Sequence, residues 1–374
     1  MPVAPRLITS LFTALVLSLP FTMSVHAESL APAATVVPET QQKYEITGEG
    51  ALRRELAHGV YQVVYSPLTT SIYVASSEAM KNVHGGAIYQ LDPKTLETTG
   101  LFHLDEKSFG LDINPAGDTL FVTHSLSSAV SKLDLKTGKV MARLKFTDTS
   151  EDGSPYGPRT VLYEPETDTV YVGGVGDPGM IWVIDAETFE LQAKIPNAGK
   201  WVTGLLSDVG NNRLYAANGD GEVLVIDTSN NQIQHRWKPA GSDAALLLNL
   251  AHDASGHRLF VTDDSQLKMT LVLDDQTGRV IKRLPLGDSM DIKYQAADNA
   301  LYVSHRGQGT VSILDADTYQ VTNTYKLPPN PNSLLLVPDQ EALYVTVKTP
   351  FTPEYTASGP GSVVRISLPV HPAN

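Results

Sequence analysis

The hydrophobic positions of this chain come in short alternating bursts, and the bursts recur. Seven of them begin on or beside a Tyr or Phe: IYVAS at 72–76, LFVTH at 120–124, VYVGG at 170–174, LYAAN at 214–218, LFVTD at 259–263, LYVSH at 301–305 and LYVTV at 343–347. Apolar residues alternate with small or polar ones, the period-two pattern of a strand with two unlike faces. A second burst follows most copies and ends in Asp and a turn: IYQLDPKT at 88–95, VSKLDLKTG at 130–138, IWVIDAET at 181–188, VLVIDTSN at 223–230, LVLDDQTG at 271–278 and VSILDADT at 311–318. Asp accepts backbone N–H bonds two residues on, Gly or Asn takes the left-handed position, and a further strand resumes at once. Another strand precedes many of the Tyr or Phe copies, as in YQVVYSP at 61–67, RTVLYEP at 159–165 and SLLLVPDQ at 333–340.

Four strands in each repeat of about 45 residues are the signature of a propeller blade. A blade cannot bury both faces alone, so the ring must close. The expected fold is all-β: a seven-bladed β-propeller over 46–374. The last repeat ends at SVVRISL (362–368) without a fourth strand, and GALRRELA (50–57) resembles the missing one. The N-terminal strand is therefore expected to complete the last blade and hide its edge.

Ahead of the repeats, residues 1–27 read as a Sec-type signal peptide, with Arg6, an apolar run from Leu7 to Phe21 and a small-x-small site at Val25-His26-Ala27. Cleavage after Ala27 implies a periplasmic protein, with no later segment apolar enough to span a membrane. Residues 28–45, rich in Pro and Ala, read as a flexible lead-in. There is no Cys, which excludes disulfides and thiolate metal sites, and the formal net charge is −13. Such a charge repels nucleic acid at long range unless a local basic patch overrides it.

The seven copies in register resemble the YVTN-repeat β-propellers. IYQLDP at 88–93, TGL at 203–205, VSHRGQGTVSILDADTY at 303–319 and PNSLLLVPDQEALYVTVK at 331–348 carry the likeness, which covers about residues 50–368. The resemblance implies a periplasmic propeller without established catalysis and brings in single-stranded DNA as a partner. The long loops at 76–86 and 348–361 depart from the pattern.

Propeller geometry places the starts of inner strands and the ends of second strands at one channel mouth. Register assigns to it Tyr61, Phe109, Arg159, Trp201 and Asn332 from the first set, and His124, Asn218, Asp263, His305, Arg306 and Lys348 from the second. Cations and aromatics in one mouth suit an anionic or aromatic ligand, because Arg forks bind carboxylate or phosphate and aromatic faces stack bases. The expected function is a non-catalytic binding scaffold, for such a ligand or for an envelope protein partner. No cofactor or metal is expected. No HExxH pair, G-x-S-x-G elbow or CxxCH occurs. His124 and His305 would need Asp263 or His84 to complete a metal site. Two rival readings stay open: a metal-assisted lactonase-like hydrolase, and an accessory subunit of an envelope or redox complex.

Overall fold

A computed structural model describes residues 50–368 apart from Asp243. The expected signal peptide (1–27) and expected lead-in (28–45) lie outside the described residues. Seven four-stranded antiparallel sheets follow one another along the chain. Blades 1 to 6 span 60–104, 111–145, 157–195, 202–237, 247–284 and 292–326. Blade 7 takes three strands from 331–367, and Ala51–Glu55 pairs antiparallel with Ser362–Ser367 as its outermost strand. The two ends of the described chain thus seal the ring with backbone hydrogen bonds, and no blade is left with an unpaired partner strand.

The repeated strand has a mechanical reason for its composition. Its Thr or Ser hydroxyl crosses to the next blade: Thr123, Thr262, Ser304 and Thr346 donate to the carbonyls of Arg159, Met290, Asn332 and Tyr61 at 2.7–3.1 Å. Its Tyr reaches the next blade's Asp turn in two places, Tyr215 to the Asp275 carbonyl and Tyr344 to the Pro93 carbonyl. One strand therefore supplies an apolar face for the core and two polar tips that fix the angle between blades. Where the repeat has Ala75, Gly173 or Ala217, the hydroxyl link is lost. The backbones also approach closely here: a Cβ on Gly110 would lie 2.3 Å from the Arg159 carbonyl.

The outer turns behave as their sequence suggests. Asp92, Asp134, Asp185, Asp227, Asp274 and Asp315 each accept a backbone N–H two or three residues on. Bonds of this kind favour the charged carboxylate and hold Asp92, Asp185 and Asp315 below their usual range; for Asp227 and Asp274 the hydroxyls of Ser229 and Thr277 do most of this, with the backbone N–H groups second. They sit on separate blades and share no centre.

Candidate functional site at the channel mouth

Five inner strands open with a register shift, at Val60/Val63, Pro158/Thr160, Val202/Gly204, Leu247/Leu250 and Pro331/Leu334. A bulge of this kind re-aims the side chain it carries. The residues so placed are Tyr61, Arg159, Thr203, Leu248 and Asn332, and Phe109 and Met290 hold the corresponding place ahead of the two shorter inner strands. Tyr61, Phe109, Arg159, Thr203, Met290 and Asn332 line a central channel of about 270 Å³.

On one side of this ring, cations gather on an aromatic pair. Tyr61 and Phe109 meet edge to face with centroids 4.8 Å apart. The Arg159 guanidinium lies 4.3 Å from the Tyr61 ring centre and 5.4 Å from that of Phe109. Lys348 Nζ lies 3.9 Å from the Tyr61 ring centre and 5.5 Å from that of Phe351. Arg306 donates to Asn332 Oδ1 at 2.6 Å and reaches Asp264 at 3.4 Å. Asn330 sets the two chain segments beside one another: its N–H donates to the Arg306 carbonyl and its carbonyl accepts from the Lys348 N–H. Its φ of +67° is a conformation that Asn tolerates better than most residues.

Charge partners are scarce here. Among the described residues, Arg159 makes no ion pair or hydrogen bond through its guanidinium, and the buried Lys348 Nζ has no hydrogen-bond partner. Burial, then repulsion from Arg159 and Arg306, holds the Lys348 amine well below its ordinary 10.5. Burial pushes the Tyr61 phenol up against the pull of the two arginines. Asp264 is raised to about 6, because burial outweighs the attraction of Arg306.

The two long loops wall a second space beside this cluster. The Ala357 N–H donates to the Ala79 carbonyl at 2.7 Å, tying 348–361 to 76–86. Between them lies a cavity of about 770 Å³, lined by Met80, Lys107, Leu126, Phe351 and Tyr355 and backed by Tyr61 and Phe109, which thus face both cavity and channel. Met80, Leu126 and Tyr355 leave an exposed apolar rim.

Register reasoning brought together Tyr61, Phe109, Arg159, Arg306, Asn332 and Lys348. It misplaced the other five by one or two positions. His124, Asn218, Asp263 and His305 are the last residues of their strands, and their side chains turn into the blade. His124 bonds the Lys107 carbonyl and Ser131, and His305 bonds the Asp288 carbonyl and Ser312. Asn218 accepts the N–H groups of Asp220 and Glu222 in its own loop, and Asp263 accepts those of Leu246 and Ser265. The following residue reaches the mouth instead, as Asp264, Arg306 and Lys348 do. Trp201 lies two residues before the ring position Thr203, with Lys200 Nζ 4.3 Å from its ring centre. Asp264, Phe351, Thr203, Met290 and Leu248 were missed; the Asp263-Asp264 doublet and the aromatic content of 348–361 were the available signals.

A metal between His124 and His305 finds no support in this arrangement. They belong to blades 2 and 6, and both ring nitrogens of each are engaged within its blade region. Among the described residues, no three His, Cys, Asp or Glu side chains converge as around a metal ion.

No protein-family model matches the chain. "Uncharacterized protein YncE" of Salmonella typhi is 39% identical over 326 residues, covering 86% of this chain and 92% of that one. Its namesake in Escherichia coli K12 is 38% identical over 323 residues, covering 86% and 91%. Among solved structures, Kuenenia stuttgartiensis hydrazine synthase superposes with a TM-score of 0.66 at 17% identity, over 84% of this chain and 96% of that one, a likeness of fold alone. With most of both sequences aligned to the YncE proteins and seven blades in the structure, this chain belongs to the YncE family of β-propellers.

Proposed function

We propose that the protein is an exported, non-catalytic binding scaffold whose ligand joins one compact anionic head to an aromatic or apolar body. One observation carries this reading: among the described residues the Arg159 guanidinium lies on the Tyr61 and Phe109 rings without a carboxylate or hydrogen-bond acceptor to partner it. An unpaired guanidinium at a desolvated mouth is costly, and an entering carboxylate or phosphate supplies what it lacks. The cavity beside them offers aromatic and aliphatic surface for the remainder of the ligand. The overall charge of −13 opposes a long polyanion, so the head is small and the attraction local.

Titration of the full chain with phenyllactate, phenyl phosphate and acetophenone, followed by calorimetry, tests this. The two anions are expected to bind and the neutral ketone to bind at least about tenfold more weakly, as a charge-assisted hydrogen bond requires. Equal binding of all three contradicts the reading. Oligothymidylate is the second arm: a terminal phosphate beside a stacking base offers the same chemistry, and competition with phenyllactate would place single-stranded DNA at this site.

A further inference from the structure

The mouth contains a group that simple anion binding does not use. Lys348 is 5% exposed, and its Nζ has no hydrogen-bond partner among the described residues. An amine in this position has two usual solutions, an ion pair or a hydrogen-bonded network, and the fold supplies neither. Asp264 is engaged by Arg306 at 3.4 Å, and Asn332 Oδ1 accepts from Arg306 at 2.6 Å. Nζ lies against the Tyr61 and Phe351 rings and is repelled by the Arg159 and Arg306 guanidinium groups. A lysine desolvated by aromatic side chains and placed beside other cations is shifted toward the free base, the form in which an amine is a nucleophile. Burial and the two arginines depress it in the same direction.

We propose that Lys348 captures α-keto acids covalently, as an imine, with Arg159 holding the carboxylate and the cavity between the long loops holding the side chain. This rests on the anion-binding reading and adds a bond to it. The Nζ lone pair adds to the ketone carbon, and the carbonyl π pair moves to oxygen, which takes a proton. The carbinolamine then loses its oxygen as water: the C–O bond breaks, C=N forms, and the two hydrogens carried off in the water are balanced by the two that Nζ gives up. The net change is amine plus ketone to imine plus water, with no oxidant or reductant. The keto acid's own carboxylate offsets the charge when the imine is protonated, so neutral ketones and aldehydes are disfavoured. Phe351 lines the cavity and its ring centre lies 5.5 Å from Nζ, so the proposed route of the carbonyl to the amine runs past it.

The test is trapping of the full chain with phenylpyruvate and cyanoborohydride near neutral pH, with the adduct located by peptide mass spectrometry. Labelling of Lys348 is expected to exceed that of any other lysine by about tenfold, and acetophenone is expected to label it far less. Phenyllactate, which lacks the carbonyl, separates the two readings. If phenyllactate binds but phenylpyruvate leaves no adduct on Lys348, covalent capture is overturned and the binding reading stands. If neither binds, both fall. Phe351→Ala keeps the amine and thins the wall, so it is expected to speed labelling by about threefold or more. Unchanged or slower labelling in the folded variant overturns the proposed route.

Discussion

The two sides of the channel mouth are built by one backbone device and carry different chemistry. Across blades 7, 1, 2 and 3 the ring positions hold Asn332, Tyr61, Phe109 and Arg159, joined by Lys348 and Arg306. Across blades 4, 5 and 6 they hold Thr203, Leu248 and Met290. Thr203 spends its hydroxyl on the carbonyls of Ala217 and Leu247, which replaces the inter-blade link missing at Ala217. Leu248 is buried, and Met290 lines the channel with an uncharged side chain. The two long loops that meet at Ala79 and Ala357 also stand on the first side. Sevenfold repetition thus accounts for the scaffold, and the departures from repetition mark where the chemistry lies.

Removing the charge on the first side should produce the largest change. Arg159→Met is expected to weaken phenyllactate binding by about tenfold to a hundredfold, the loss of a charge-assisted, desolvated contact. Thr203→Ala or Leu248→Ala, at equivalent places across the ring, should stay within about twofold. Calorimetry on the three variants decides it: similar losses on both sides would mean that the whole mouth, not one side of it, holds the ligand.

A second contrast, within single strands, separates stability from binding. His305 and Arg306 are consecutive, yet one is consumed by the Asp288 carbonyl and Ser312 while the other faces the mouth. His305→Ala leaves those buried partners unpaired and should cost about 1–3 kcal/mol of stability with affinity unchanged. A urea titration alongside calorimetry shows whether the two effects separate. A fall in affinity without loss of stability would return His305 to the site.

Lys348 tests whether the mouth stores strain. Its folded-state pKa lies below 10.5, so the folded protein binds fewer protons here than the unfolded chain does. Stability from this residue therefore rises with pH up to about the unfolded value and is lost as pH falls toward the folded one. Lys348→Met removes the penalty. It is expected to raise Tm at neutral pH by a few degrees, about 1–2 kcal/mol, with the gain shrinking as pH approaches 10. Thermal unfolding at both pH values is the measurement, and a destabilised variant at neutral pH would show the lysine to be paired in solution.

How much of this was written in the sequence depends on which interaction sets each feature. Blade number, the Asp turns and closure by 51–55 follow from local pattern, because alternation and turn chemistry act over a few residues. The mouth was legible only in part. Inner-strand starts gave Tyr61, Arg159 and Asn332, but the bulges that aim them are backbone irregularities with no residue signature here. Those bulges also moved the ring position from Trp201 to Thr203. The one-residue error at His124, Asn218, Asp263 and His305 has a similar origin. Strand alternation reverses at every step, so an assignment off by one swaps a blade-facing group for a mouth-facing one. Phe351 and its cavity arise from contact between loops far apart in sequence, which no local pattern encodes.

The smallest expected effect is also the most specific. Asp264 pairs with Arg306 at 3.4 Å, and burial raises it to about 6. Above that pH its charge offsets Arg306, and below it the offset disappears and the potential at the site becomes more positive. Phenyllactate affinity should therefore rise by about threefold to tenfold as pH falls through 6, and by linkage bound phenyllactate should raise the Asp264 pKa by the same free energy. Phenyllactate suits this measurement because its carboxyl stays ionised across the range, whereas a phosphate would titrate near 6 itself. Asp264→Asn should bind at pH 7 as tightly as the unaltered protein does near pH 5, and the inflection near 6 should vanish. An inflection that survives in Asp264→Asn would assign the titration to another group. The charged side of the mouth would then owe its balance to something other than the Arg306–Asp264 pair.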